Sequence, residues 1–168
     1  MPYRRLAALV PLTVALAVPG AAQAQGIVPG VSKLRHNGIG AVFTGMTIKK
    51  ARQAAGIPLE RSRVGDCVYL SATPGSPDGP TLRFHGGKLR HVTVARAGFA
   101  TKRGVEVGDR ARKVRRLYKR LTSRQNLGGG RDLVFRRGRH RLIFSVAQGR
   151  VYRISGGRAP WALYQECV

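Results

Sequence analysis

"FTGMTIKKARQAAG", residues 43–56, holds a threonine after a glycine, a short basic segment and a closing glycine. Thr47 suits a helix start, because its side-chain oxygen can accept from a free first-turn amide. Gly56 suits the left-handed residue that ends a helix, and Pro58 forbids continuation. Ile48, Ala51 and Ala55 recur at three- and four-residue spacing, so one narrow face can pack on a sheet while Lys49, Lys50 and Arg52 point elsewhere. About two and a half turns are marginal in isolation, so tertiary packing must hold this helix.

Outward from that helix the chain reads as strands. "CVYLS" at 67–71 is followed by the Pro/Gly-rich loop "TPGSPDGP" at 73–80 and by "TLRFHGGKLRHVTVA" at 81–95. Leu82 and Phe84 alternate with polar residues before Gly86-Gly87, and Val92 and Val94 do so after it, which predicts a hairpin. A tight turn there pairs His85 with about Leu89. Upstream, residues 25–37 have no sustained period and read as a leader strand or a loose arm, with order beginning near Gly38.

The same layout returns at "EVGDRARKVRRLYK", residues 106–119. Asp109 is the expected cap, and Ala111, Val114, Leu117, Tyr118 and Leu121 supply the apolar face. "NLGGG" at 126–130 stops the helix. "DLVFR" at 132–136, "HRLIFSV" at 140–146 and "RVYRIS" at 150–155 read as strands, with Gln148-Gly149 as a turn. "WALYQEC" at 161–167 reads as a last strand. The expected fold is therefore α+β: two tandem repeats, 38–98 and 99–168, each a short helix or helical hairpin packed on an antiparallel meander.

Gly45-Met46-Thr47 with Gly56, echoed as Val107-Gly108-Asp109, resembles the repeat of the SmpA/OmlA-type outer-membrane assembly lipoproteins and of the beta-lactamase inhibitory proteins. Thr101, Gly104, Val105, Val107, Gly108 and Asp109 are similar to a block in secreted actinobacterial proteins of unknown function. The resemblance covers roughly residues 38–167 and implies the helix-plus-meander fold. It also implies an alternative function, inhibition of a secreted or periplasmic enzyme through the sheet face and loops. The chain departs from these families in having one cysteine pair rather than one per repeat, no lipid-attachment cysteine and no segment that matches an inhibitor's contact loops.

Residues 1–24 read as a signal peptide: Arg4 and Arg5, an apolar run from Leu6 to Val18, and the small-x-small pattern Ala22-Gln23-Ala24. An uncleaved amphipathic anchor is the alternative. Pro11 breaks the run, which is shorter than the roughly 20 residues a spanning helix needs. No transmembrane segment is expected in the mature chain, and a secreted or envelope-associated location follows. Cys67 and Cys167, the sole cysteines, are expected to form a disulfide in that oxidising compartment.

The formal charge is +24, from 31 Lys and Arg against 7 Asp and Glu, and falls to +22 without Arg4 and Arg5. Such a field favours polyanions: an envelope polymer, nucleic acid, a lipid headgroup surface or an acidic protein. A composition rich in Arg, Gly and Ala also arises from a genome rich in G and C. The densest cations are Arg110, Arg112, Lys113, Arg115, Arg116, Lys119, Arg120 and Arg124. Arg136, Arg137, Arg139, His140 and Arg141 form a second cluster around Gly138, and the two clusters together suit a phosphate-bearing polymer. Aromatic interleaving is poor, which argues against base stacking.

Enzyme chemistry finds little support. No G-x-S-x-G, H-E-x-x-H or Walker pattern occurs, and Gly128-Gly129-Gly130 lacks the Lys-Ser/Thr that a phosphate loop requires. His36, His85, His91 and His140 are too scattered for the three or four ligands of zinc. No catalytic residue, metal or small-molecule cofactor is expected. The chain reads as an exported, non-enzymatic, cationic binding module, with an enzyme inhibitor and a structural envelope protein as the alternatives.

Overall fold

Among the described residues, thirteen elements follow one another along the chain. The computed structural model describes residues 26–72, 79–126, 128–159 and Cys167. The first half contains β1 (Leu34–Arg35), β2 (Gly38–Ile39), β3 (Val42–Phe43), α1 (Ile48–Ala55), β4 (Leu59–Val64), β5 (Cys67–Ala72), β6 (Thr81–His85) and β7 (Lys88–Val94). The second contains α2 (Ala111–Leu117), β8 (Thr122–Gln125), β9 (Arg131–Arg137), β10 (His140–Ala147) and β11 (Arg150–Arg158). The class is α+β, mostly antiparallel sheet.

Strands β1 to β3 form a small sheet. The other eight make one antiparallel sheet in the order β4-β5-β6-β7-β11-β10-β9-β8. Each group of four is a meander, and the two join where β7 pairs β11, with Val94 opposite Ile154 and His91 opposite Gly157. Phe84, Leu82, Phe144 and Ile154 are fully buried and share a core with Ala51 and Ala55 of α1, Val114 of α2 and Leu34, Ile39 and Val42 of the small sheet. The helices and the small sheet therefore cover one face of the large sheet.

α1 matches its sequence reading. Thr47 Oγ1 accepts from the Lys50 amide at 3.4 Å, and Gly56 ends the helix at φ 61°. The first hairpin turns on Gly86 and Gly87, at φ 56° and 68°, and closes one residue tighter than expected: His85 faces Lys88, and Phe84 faces Leu89. Two consecutive left-handed residues match the twist of the flanking strands, a conformation glycine adopts without steric cost.

Order begins well before Gly38. Ile27 and Leu34 are buried. The Ile27 amide donates to Ala55 O at 2.6 Å, the Gly30 amide to Gly98 O at 2.6 Å and the Leu34 amide to Ala100 O at 2.9 Å. Ahead of β1 the arm shows no period in sequence because its contacts are irregular rather than those of a ladder.

Two edge strands also escaped the pattern. β4 (LERSRV) and β8 (TSRQ) are largely exposed, so neither has the apolar alternation that marks a half-buried strand. Charged side chains at both edges oppose pairing with another chain. The expected strand at 161–167 lies outside the described residues, save Cys167.

β11 runs three residues past the expected "RVYRIS" to include Gly156-Gly157. Here the glycines permit close approach. A Cβ at Gly156 would overlap the Arg35 carbonyl of β1, and one at Gly157 would crowd the Arg90 carbonyl and the His91 ring. Gly156→Ala is expected to cost about 1–3 kcal/mol, the usual range for overpacking, visible as a lowered urea midpoint. An unchanged midpoint would mean that the small sheet shifts freely off β11.

Candidate polyanion interface

α2 starts beside the β10–β11 turn. The Gly108 amide donates to Val151 O at 2.7 Å, the Val151 amide to Asp109 O at 2.9 Å and the Ala111 amide to Gly149 O at 2.8 Å. The helix then crosses the sheet and ends where the Tyr118 ring meets Phe135 and Phe144, with centroids 5.2 and 4.9 Å away. Val114 is buried and Ala111 and Leu117 are half-buried, which turns the cationic positions outward.

Asp109 is not the cap. Its carboxylate accepts from the Glu106 amide at 2.8 Å and pairs with Lys113 Nζ at 2.8 Å. Burial pushes the Asp109 carboxyl up, but the Lys113 hydrogen bond, the Glu106 amide and the Lys113 charge together hold it below its ordinary value. The N-cap residue is Arg110, in extended backbone with no side-chain cap. The helix is also shorter than expected. Tyr118 leaves it with extended backbone, Arg120 turns at φ 57°, and Leu121 lies past its end as the chain drops into β8.

Arg110, Arg112, Arg115, Arg116, Lys119 and Arg120 are exposed, and Lys113 is half-exposed. Among the described residues, Lys113 alone of these has a carboxylate partner. Asp109, Arg110, Arg112, Lys113 and Arg116 line an open cleft of about 490 Å³. Arg124 behaves differently. Its Nη2 donates at 3.0 Å to the buried Asp132, which also accepts from Asn126 at 3.2 Å and from Ser145 at 2.8 Å. That guanidinium is committed to the fold.

Arg137 and Arg139 are exposed on the β9–β10 hairpin around Gly138, and Arg141 is half-exposed. Arg141 Nη1 donates to the Gly138 and His140 carbonyls, each at 2.9 Å. This hairpin lies at the opposite end of β10 from the turn where α2 starts. At about 3.4 Å per residue the strand separates the two ends by roughly 25 Å. The last turn of α2 narrows that gap, since Tyr118 rests on Phe135, two residues before Arg137. The two sequence clusters are therefore the ends of an oblique band.

Tyr118, the aromatic residue inside the basic run, is buried at 4% exposure, with Arg103 stacked 4.8 Å from its ring centroid. It presents no ring for stacking. Among the described residues, no helix is long and apolar enough to cross a membrane, and no three His, Cys, Asp or Glu side chains converge as metal ligands. Compared with family models, curated proteins and solved structures, the chain matches none.

Proposed function

We propose that this chain is an exported, non-enzymatic module that binds an anionic polymer through α2 and the residues that follow it. One observation carries the reading: cations stand where they weaken the helix. A helix N-terminus bears partial positive charge, yet Arg110 is the cap residue, Arg112 and Lys113 lie in the first turn, and that turn has no acidic residue. The equivalent place in the first half is held by Thr47, which caps. First-turn cations are common to both helices, Lys49 and Lys50 in α1; α2 differs in having a cation in place of the cap, and we read that residue as having a use outside folding. With Tyr118 buried, contact through charged groups of the polymer suits the surface better than reading of bases.

The two halves also suggest how this surface arose. Gly45 and Gly108 share φ 94° and 93°. The Gly45 amide donates to Leu89 O and the Leu89 amide to Met46 O; the Gly108 amide donates to Val151 O and the Val151 amide to Asp109 O. Isolated bridges then join Thr47 to Lys88 and Arg110 to Arg150. In our reading the halves are copies of one helix-plus-meander unit, in register at Gly45 with Gly108 and Thr47 with Arg110. This is consistent with the SmpA/OmlA-type resemblance, and the second copy exchanged a cap for a cation. The inhibitor alternative draws less support, because Arg83, His91, Asp132, Ser145 and Ser155 on the other sheet face are buried.

Retention on a heparin resin is the first test. Neutralising Arg112, Arg115, Arg116 and Lys119 together is expected to reduce the slope of log affinity against log salt by about three to four, near one per contact. Equal slopes for the two proteins would sink the reading. A sharper check is Arg110→Thr. Restoring a cap is expected to stabilise the fold by about 1 kcal/mol while weakening polymer retention. Loss of both together would mean that Arg110 serves packing.

A further inference from the structure

The far end of the cationic band holds two imidazoles. His36, in the β1–β2 turn, and His140, which opens β10, meet edge to face with centroids 5.6 Å apart. Thr44, just past β3, puts its hydroxyl 3.0 Å from His140 Nε2. The rings are half-buried and remain reachable from solvent. Three separate chain segments thus bring two imidazoles and a hydroxyl to one place.

Every charge that acts on the pair is positive. Arg137 of β9, Lys102 of the loop before α2 and Arg35 of β1 act on His36, which also feels His140; Arg158 of β11 and Arg141 of β10 act on His140. Burial, then these cations, hold both imidazoles below their ordinary pKa. No carboxylate among the described residues offsets them. Asp132 is committed to Arg124, Asn126 and Ser145, Asp109 to Lys113, and Glu106 accepts from the Gly98 amide. A divalent cation is a poor occupant, because it would meet five positive side chains and only two imidazole ligands where zinc takes three or four.

We infer that His36, His140 and Thr44, within the field of Arg35, Lys102, Arg137, Arg141 and Arg158, form a pH-gated site for a tetrahedral oxyanion, a phosphate or sulfate group. The inference rests on the polyanion reading, since Arg137 and Arg141 belong to both. With His140 neutral and its proton on Nδ1, the Thr44 hydroxyl can donate to Nε2 across their 3.0 Å contact. When His140 gains a proton, Nε2–H donates to Thr44 Oγ instead, and the hydroxyl proton is free to turn to the anion. A bound dianion in turn favours the imidazolium forms. Linkage makes the effects reciprocal, so anion affinity rises as pH falls.

The test is an NMR titration of the histidine ring protons of the full chain with sodium sulfate, whose charge is constant between pH 5 and 8. Expected are saturable shifts of His36 and His140, a higher pKa for both with sulfate bound, and tighter binding at pH 5 than at pH 7.5. Each imidazole whose pKa rises by one on binding contributes up to about tenfold to that gain. His36→Gln with His140→Gln should leave weak, pH-independent binding. A second arm uses short-chain polyphosphate: response to both probes supports a site for free anions and polymer groups alike, and response to polyphosphate alone supports a site for polymer groups. Rings indifferent to both, or pKa values unmoved on binding, overturn the inference, as does saturable zinc binding at the two rings. Heparin retention that depends on α2 while the rings ignore both probes would leave the polymer reading standing and remove this one. Ring response with no dependence of retention on α2 would do the reverse.

Discussion

Replacing Cys67 and Cys167 by alanine is expected to lower stability by about 4 kcal/mol, close to the limit for a single cross-link of this span. The disulfide joins residues 100 apart in sequence, with Cα atoms 5.3 Å apart. It ties β5, on the first meander, to the last-but-one residue of the chain. Cutting it frees the unfolded chain across both halves, and the chain-entropy account assigns about 4.7 kcal/mol to a loop of that length. Cys67 is fully buried beside the edge strand β4, and the Tyr69 hydroxyl lies 3.3 Å from Cys167 Sγ, so the bond is packed into the fold. Urea unfolding should show the loss as a midpoint lower by roughly 2 M, given slopes of about 1–3 kcal/mol per M for proteins this small. A midpoint within error of the unaltered protein would mean that the bond constrains little.

Acid should unfold this protein earlier than its few carboxylates suggest. His91 is 3% exposed, in a row of residues that crosses the sheet from Tyr69 on β5 through Arg83 on β6 to Gly157 on β11. Burial, then the charges of Arg83 and Arg153, lower its pKa to about 3. The unfolded chain takes up a proton here below about pH 6.5, whereas the folded chain refuses it until about pH 3. Unfolding therefore consumes a proton across that window, and stability falls as pH falls, by up to about 1.4 kcal/mol per pH unit. Between those two pH values the total is on the order of 4 kcal/mol. His36 and His140 are lowered too and add in the same direction. His91→Asn keeps a polar atom near Thr93 Oγ1, which lies 3.3 Å from His91 Nδ1. That variant should be less stable at pH 7 but show a flatter profile between pH 6.5 and 4.5. Parallel profiles for the two proteins would exclude His91 as the acid-sensitive group.

Legibility in sequence followed periodicity. α1 was readable from Thr47, Ala51, Ala55 and Gly56 because its cap and buried face are local properties. The strands that alternate, β6, β7 and β10, were readable for the same reason. β4 and β8 were not, since an exposed edge strand has no buried face to impose a pattern. Gly156-Gly157 fell outside the expected strand because it has no side chain to continue an alternation, and only the position of Arg35 on β1 shows why the strand runs through it. The cap of α2 was displaced by one residue. Asp109 has the right chemistry, but Glu106 and Lys113 had already claimed its carboxylate.

The cations of the candidate site were visible in sequence by type and number, but their arrangement was not. Lys113 and Arg124 are paired with carboxylates, Arg110 stands at a helix start, and the Gly138 hairpin lies a strand length from the start of α2. The sequence by itself determined the elements with internal periodicity, the cysteine pair and the sign of the charge, because each depends on residues near one another in the chain or on composition alone. The tertiary structure decided the seam between β7 and β11, the burial of the arm and the meeting of His36 with His140. Those depend on contacts between residues far apart in sequence, where no local spacing records which neighbour will be met.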